Sequence, residues 1–340
     1  MKALVKTGPG KEGMILKNLP EPVPGSKDLK IRVKAAGICG TDMHIMLDEY
    51  TYNAPVVMGH EYVGVVEEVG AEVSNFKIGD WVVSLTAVVT CGECRYCREG
   101  LLMLCSRRKS IGSGVDGAFA EYIIIPANLA FIVPDEIEDK EELAICEPFA
   151  CIVRGAVERA HIKAGDIVLI SGPGTIGLMT VQLAKLQGAY VIVCGIPQDE
   201  HRLKLACELG ANQTVSNPEE LKKVIQALSP DGVDVACECA GVAASAEICL
   251  ESVRKQGIYS QIGLFGKEIA IDFDRFLFKE LTITNSFASE RTSWETALRL
   301  LKYKMVTLKP LISAKVPLEK WQDGFDMFMA KKGYKILLIP

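Results

Sequence analysis

The sequence predicts an α/β chain in two parts: an all-β, barrel-like domain over residues 1–150, completed by 291–340, and a doubly wound parallel sheet over 151–290. Three observations carry that prediction. The hydrophobic pattern changes near residue 150, from short β-branched runs broken by Gly and Pro to strands alternating with helices. A glycine loop, Ser171-Gly172-Pro173-Gly174-Thr175-Ile176-Gly177, heads the alternating part. Four cysteines crowd one glycine- and charge-rich stretch of the β part.

In chain order, residues 2–7, 29–36, 63–69, 81–84 and 120–125 are β-branched runs between turn residues and are expected as strands of a barrel. From Asp166 onward the apolar runs 167–170, 190–193, 233–236 and 258–262 alternate with helical stretches 177–186, 201–209, 218–228 and 243–252. Such βα repetition implies a parallel sheet covered on both faces. Six sheet strands ending near Phe287 are expected, with 281–287 at the distal edge and the apolar run 269–273 nearby. The tail supplies a helix at 294–302, a strand at 312–316, a helix at 321–329 and a strand at 336–339, which should return to the first domain.

Composition narrows the partners. At 340 residues and 49% hydrophobic, the chain can fill two cores without staples. The formal charge is −5, and no basic run exceeds Arg107-Arg108-Lys109, which argues against nucleic acid or another polyanion. No stretch approaches the roughly 18–20 apolar residues that cross a bilayer, and the N-terminus lacks the apolar core of a signal peptide. No membrane partner is expected, and a cytoplasmic location is. Of the twelve cysteines, scattered ones such as Cys194, Cys207, Cys237 and Cys249 read as small buried hydrophobes.

Cys91, Cys94, Cys97 and Cys105 can converge on one tetrahedral Zn²⁺, each thiolate about 2.3 Å from the metal. The stretch has little to bury, so a structural zinc would supply its folding free energy. Paired disulfides and a chance cluster are the competing readings, and cytosolic usage of such spacing disfavours them. Taken alone, the cluster also fits a zinc-ribbon nucleic-acid module.

The glycine loop follows an apolar strand and opens a helix, the context in which GxGxxG binds a dinucleotide. Gly172 permits the tight turn, Gly174 lets a pyrophosphate approach the backbone, and Gly177 allows close packing, with the anion at the helix N-terminus near Thr175. The acid expected about 20 residues later, which bonds the ribose of NAD, is replaced by Cys194-Gly195-Ile196-Pro197. Arg202 can neutralise the 2′-phosphate of NADP, or can be a surface cation at a helix start. The coenzyme is therefore NAD or NADP.

A second constellation lies outside the cysteine cluster: Cys39, His60, Glu61 and Glu147, with Thr41 and His44 beside the first. A zinc that does chemistry keeps three protein ligands and an open position. Positions so far apart carry no spacing signature, and a core thiol beside a satisfied His-Glu pair explains them as well.

The strings GICGTDMH (37–44) and GHEYVGVVEEVG (59–70), the four-cysteine stretch, Glu147-Pro148 and GPGTIG (172–177) stand in this order along nearly the whole chain. They resemble the zinc-dependent medium-chain dehydrogenase/reductase superfamily, and within it the sorbitol (polyol) dehydrogenase and threonine 3-dehydrogenase branch. The resemblance implies a GroES-like β-barrel catalytic domain joined to a Rossmann domain. It implies a catalytic zinc on Cys39, His60 and Glu61, with Glu147 binding alternately or through the zinc's water, and a structural zinc on the four cysteines. Thr41 and His44 match a proton relay, and Ile176 with Ile262, Gly263 and Leu264 match cofactor-lining positions.

The implied reaction is hydride transfer between a secondary alcohol, a polyol or sugar alcohol, and NAD(P), in a cleft between the domains. L-threonine and sugar-phosphate alcohols are the alternative substrates, for which Arg154 and Arg291 are candidate anion-binding residues. Outside enzymes, a dinucleotide-binding sensor or the zinc-ribbon module remains. A homo-oligomer, dimer or tetramer, is expected from the distal edge 281–287 and from the resemblance.

Overall fold

In the computed structural model, which describes residues 1–331 and 333–340, contacts divide the chain into two units. One is Met1–Ala150 with Ser289–Pro340, the other Cys151–Ala288.

The first unit opens with β1 (Lys2–Lys6), β2 (Met14–Asn18), β3 (Asp28–Gly37), helix α1 (Gly40–Met46) and β4 (Val56–Val57). It continues through β5 (Glu61–Val69), β6 (Trp81–Ser84), β7 (Ala87–Val89), the short helix α2 (Arg95–Arg98), β8 (Lys109–Ser110), β9 (Tyr122–Pro126) and β10 (Ala130–Ile132) to helix α3 (Cys146–Ile152). Strands β2-β1-β4 make a small sheet. Leu4, Leu29, Ile31 and Phe119 are fully buried, so residues from or beside the runs read as strands fill this core.

In the second unit β11 (Ile167–Ser171), α4 (Thr175–Leu186), β12 (Tyr190–Cys194), α5 (Glu200–Glu208), β13 (Gln213–Val215) and α6 (Pro218–Leu228) form one half. β14 (Val233–Glu238), α7 (Ala243–Ser252), β15 (Val253–Gln261), α8 (Asp274–Phe278) and β16 (Thr282–Asn285) form the other. All strands are parallel in the order β13-β12-β11-β14-β15-β16. The order reverses between β11 and β14, the switch point at which doubly wound sheets bind ligands beyond the strand C-termini.

Three expectations are corrected here. Residues 269–273 form no strand, and the sixth strand is β13, too short and too polar at Gln213 and Thr214 to stand out as an apolar run. The distal edge is β16 alone, four residues of the expected seven (281–287). Cys194, Cys237 and Cys249 are buried, but Cys207 is exposed on α5, its thiol 3.6 Å from Thr214 Oγ1.

The tail elements α9 (Arg291–Lys302), β17 (Ile312–Pro317), α10 (Trp321–Met329) and β18 (Lys335–Ile339) belong to the first unit. They complete a seven-stranded sheet, β10-β6-β5-β3-β18-β17, with β9 also on β3. One row of this sheet positions the site. Gly37, at the end of β3, lies opposite Glu61 of β5 on one side and Leu337 of β18 on the other. A side chain at residue 37 would meet the Glu61 carboxylate at 2.3 Å, so glycine leaves that carboxylate its space. Three segments remote in sequence thereby meet just ahead of Cys39.

Candidate metal centres and coenzyme loop

Cys91, Cys94, Cys97 and Cys105 bring four sulfurs within 4.8 Å of one another. Cys91 and Cys97 are 3.8 Å apart, the edge expected of a tetrahedron whose centre lies about 2.3 Å from each sulfur. Backbone amides point at the sulfurs: Cys94 N–H to Cys91 at 3.2 Å, Cys97 N–H to Cys94 at 3.4 Å, Cys91 N–H to Cys105 at 3.4 Å. The Cys94 and Glu93 amides hold the Cys91 thiol down at about 6, whereas burial and the Cys94 thiol push Cys97 up to about 11. A divalent cation is what ionises such a set together. The donor set and its spacing therefore fit zinc. Arg107, paired with Glu93 and facing Cys91 and Cys105, offsets part of the charge of four thiolates.

The second group is Cys39, His60 and Glu61, one ligand atom of each within 4.8 Å of the others. Cys39 is the N-cap of α1, His60 precedes β5 and Glu61 begins it, so the β3–β5 register joins them. Glu147 is buried at the start of α3 but lies outside this group of three.

Two residues that sequence reading passed over hold the group in place. Asp42 is fully buried, accepts the Cys39 N–H at 2.8 Å, and turns its other oxygen, which has no hydrogen-bond partner, toward His60 Nδ1 at 3.7 Å. A carboxylate behind a histidine orients the ring and directs its other nitrogen outward, as in many metal sites. Burial alone would lower the His60 pKa; the charges of Cys39 and Asp42 outweigh burial and raise it. Lys335, also buried, donates to both oxygens of Glu61, one at 2.6 Å, and to Ile38 O at 3.0 Å. Burial works against its charge, and Glu61 followed by Cys39 restores it. Asp42 is readable as a helix-start acid three residues after an N-cap; nothing in the sequence signals Lys335, which depends on the pairing of β18. One thiolate, one imidazole and one carboxylate around a common point fit a zinc with an open position.

Thr41 and His44 share a face of α1 at i and i+3. Thr41 Oγ1 is 3.8 Å from Cys39 Sγ, and His44 Nδ1 is 2.7 Å from Glu49 Oε2. Because an ionised carboxylate only accepts, Nδ1 carries the hydrogen and Nε2 is left as the acceptor. Glu49 was not singled out in the sequence because it lies beyond the helix, in the loop.

In the second unit Gly172 has φ +103°, and Gly174 N-caps α4 without any side-chain cap. The Gly177 position lies against Gly172 O, where a Cβ would come within 2.0 Å. The first amides of α4, beginning at Thr175 and Ile176, thus have no side chain in front of them, a cradle suited to a pyrophosphate. At Gly195 a Cβ would meet the Pro173 ring at 3.0 Å and Asp199 Cβ at 3.2 Å, so an acid fits poorly there. Arg202 lies beside the loop: its guanidinium is 3.7 Å from a Cβ placed on Gly174 and 3.7 Å from Asp199. Buried Glu238 fixes the far wall, accepting from Ala240 and Gly241 amides at 3.0 and 2.9 Å and from Gln261 at 2.8 Å. The Ile262 and Gly263 amides return to Glu238 O at 3.0 and 2.8 Å, and Leu264 is exposed.

Arg154 and Arg291 are engaged elsewhere. Arg154 stands 3.8 Å from Glu158, and Arg291 stacks over Phe131 at 4.9 Å while donating to Asn128 O.

Residues 25–135 match the alcohol dehydrogenase GroES-like domain, and 175–303 match the zinc-binding dehydrogenase family. Sorbitol dehydrogenase of Halalkalibacterium halodurans is 37% identical, with 100% of this chain and 99% of that protein covered. D-arabitol-phosphate dehydrogenase of Enterococcus avium is 37% identical over 99% of this chain and 97% of its own length. A crystal structure of a zinc-binding dehydrogenase from Sinorhizobium meliloti bound to NADP superposes with a TM-score of 0.90 at 34% identity, covering 100% of this chain and 99% of that one.

Cys91→Ser should lose the metal of the four-cysteine lobe and a large share of the roughly 10–16 kcal/mol that a structural zinc supplies. Zinc analysis and limited proteolysis check this: expected are one equivalent fewer and rapid cleavage between residues 91 and 105, and a variant with full zinc and wild-type resistance contradicts it.

Proposed function

We infer, from the premise that this chain belongs to the zinc-dependent medium-chain alcohol dehydrogenases, that it oxidises a secondary alcohol of a polyol-like substrate to the ketone and passes the hydride to NAD(P). The convergence of Cys39, His60 and Glu61 is the observation that carries this reading. Bound zinc would polarise the substrate hydroxyl, and bound coenzyme would accept the hydride.

The protein's own part is to hold and to move a proton. Cys39, His60 and Glu61 would hold the metal, with Asp42 and Lys335 fixing their orientation. Thr41 Oγ1, 3.8 Å from Cys39 Sγ, takes the hydroxyl proton as its own proton passes to His44 Nε2. Glu49 keeps the imidazole in the accepting tautomer, and His44 is exposed enough to return the proton to solvent. Glu147, outside the three ligands, is assigned an alternate or water-mediated contact with the metal. Gly172, Gly174, Thr175, Ile176 and Gly177 bind the pyrophosphate, and Ile262, Gly263 and Leu264 line the nicotinamide side.

NADP is the favoured coenzyme. The crowded Gly195 removes the ribose acid, and Arg202 offers a cation beside the loop; a relative of the same family carries NADP. A homo-oligomer is proposed on the second unit's edge: among the described residues β16 pairs only with β15, and Leu277, Phe278, Ile283 and Phe287 are exposed. An unpaired edge flanked by apolar side chains suits pairing with a second copy. A cytoplasmic location agrees with twelve free cysteines, and no helix among the described residues is long and apolar enough to cross a membrane.

Removing the first proton acceptor in Thr41→Ala should lower kcat roughly 10²- to 10⁴-fold, the scale of a general acid–base step, with coenzyme affinity unchanged. Steady-state kinetics with coenzyme titration measure both, and full activity would break the relay. Arg202→Ala should raise the KM for NADP while leaving that for NAD unaltered; an unchanged NADP KM removes Arg202 from coenzyme selection.

A further inference from the structure

Lys6 is fully buried on β1, and the reaction as described makes no use of it. Its ammonium has three hydrogens to place, and three acceptors surround it: Gly10 O at 2.7 Å, Met46 O at 3.1 Å and the Asp48 carboxylate at 3.1 Å. Tyr52 has its ring centre 5.1 Å from Lys6 Nζ and donates its hydroxyl to the same Asp48 oxygen at 2.6 Å. The Gly10 amide donates to the other oxygen at 2.6 Å. Held by these donors, Tyr52 foremost and Gly10 next, the Asp48 carboxyl falls to about 2. Burying an ammonium is costly, and partners of this kind only offset the cost.

The cluster surrounds the turn that carries Glu49. Helix α1 ends in a Schellman arrangement: the Asp48 N–H donates to Ile45 O at 3.2 Å and the Glu49 N–H to His44 O at 2.7 Å. Asp48 takes the left-handed position of that turn, with φ +61°, where glycine is the usual occupant. Glycine would end the helix equally well; aspartate adds a carboxylate that ties the turn to β1 and to Tyr52. Glu49 thereby meets His44 twice, through its amide and through its carboxylate, which lies 2.7 Å from Nδ1. Lys6 also clasps the far end of the same segment, because its backbone pairs with Val56 of β4. One residue of β1 thus anchors the chain on both sides of residues 49–55.

We propose that Lys6, Asp48 and Tyr52 are positioning residues of the proton relay: they hold the turn after α1 so that Glu49 faces His44 Nδ1 and Nε2 remains the acceptor. The proposal rests on the alcohol-dehydrogenase reading above, in which that tautomer receives the proton that leaves Thr41. A carboxylate that swings away frees the neutral imidazole to carry its hydrogen on either nitrogen, and only one of the two tautomers accepts at Nε2.

Full-length, zinc-replete protein with ¹⁵N in its four histidines reports the tautomer of His44 by NMR at about pH 9, where an ordinary histidine is neutral. His44→Gln identifies the signal, and wild type should carry the hydrogen on Nδ1. Asp48→Gly keeps the left-handed turn and removes only the carboxylate. It should shift His44 toward the Nε2–H tautomer and lower kcat on D-sorbitol about 10-fold, part of the roughly 10²- to 10⁴-fold that an acid–base step contributes, with zinc content and coenzyme KM unchanged. Tyr52→Phe, which leaves the ring beside Lys6, should move both readouts the same way by less, and decides by itself if Asp48→Gly does not fold. A wild-type tautomer in folded Asp48→Gly, or an altered tautomer with full kcat, overturns the proposal. Because the tautomer is read without turnover, the two readings fail separately: protein that oxidises no polyol loses the dehydrogenase reading, and the positioning of His44 still stands or falls on the tautomer in Asp48→Gly.

Discussion

Negative charge gathered where water is excluded is the constraint on which the catalytic unit depends. Asp42 and Glu61 are fully buried, and Cys39 stands between them in function, with its amide on one and its sulfur beside the other. Ionised, the three carry three negative charges, which Lys335 and His60, its pKa raised by Cys39 and Asp42 against burial, offset only in part. A buried imbalance of that size costs far more than a folded protein's margin of stability unless a counter-ion joins it. A divalent cation held by Cys39, His60 and Glu61 would offset that charge.

The sheet is what makes that concentration possible. Gly37, Glu61 and Leu337 occupy one row across β5, β3 and β18, so two segments from the first quarter of the chain and one from its last strand meet at a place no local motif marks. This is why Cys39, His60 and Glu61 could be grouped from the sequence only as part of a family-like arrangement, whereas the four cysteines could be grouped by their own spacing. Lys335 was not legible at all, since its role depends on which strand β18 joins. Glu49 and Asp42 lie a few residues from Thr41 and His44, and only the course of the chain after α1 shows what they touch.

The second unit was easier to read, because its βα alternation is local and strongly periodic. What escaped was β13, three residues with Gln and Thr in place of an apolar run, held as a strand by its pairing with β12. The mistaken strand at 269–273 had the opposite character: apolar residues with no neighbour to pair with. The glycine loop at 172–177 stood out in the sequence from its strand and helix context, yet the reason for Gly195 did not, since it lies in the contact with Pro173 and Asp199.

The zinc content of purified, metal-replete protein compared with that of Cys39→Ser tests the charge-balance argument most directly. Two equivalents per chain in wild type, falling to one in Cys39→Ser with alcohol oxidation lost and the cysteine lobe intact, is the expected result. Wild-type protein that oxidises alcohols while holding a single equivalent, bound by Cys91, Cys94, Cys97 and Cys105 alone, would contradict it.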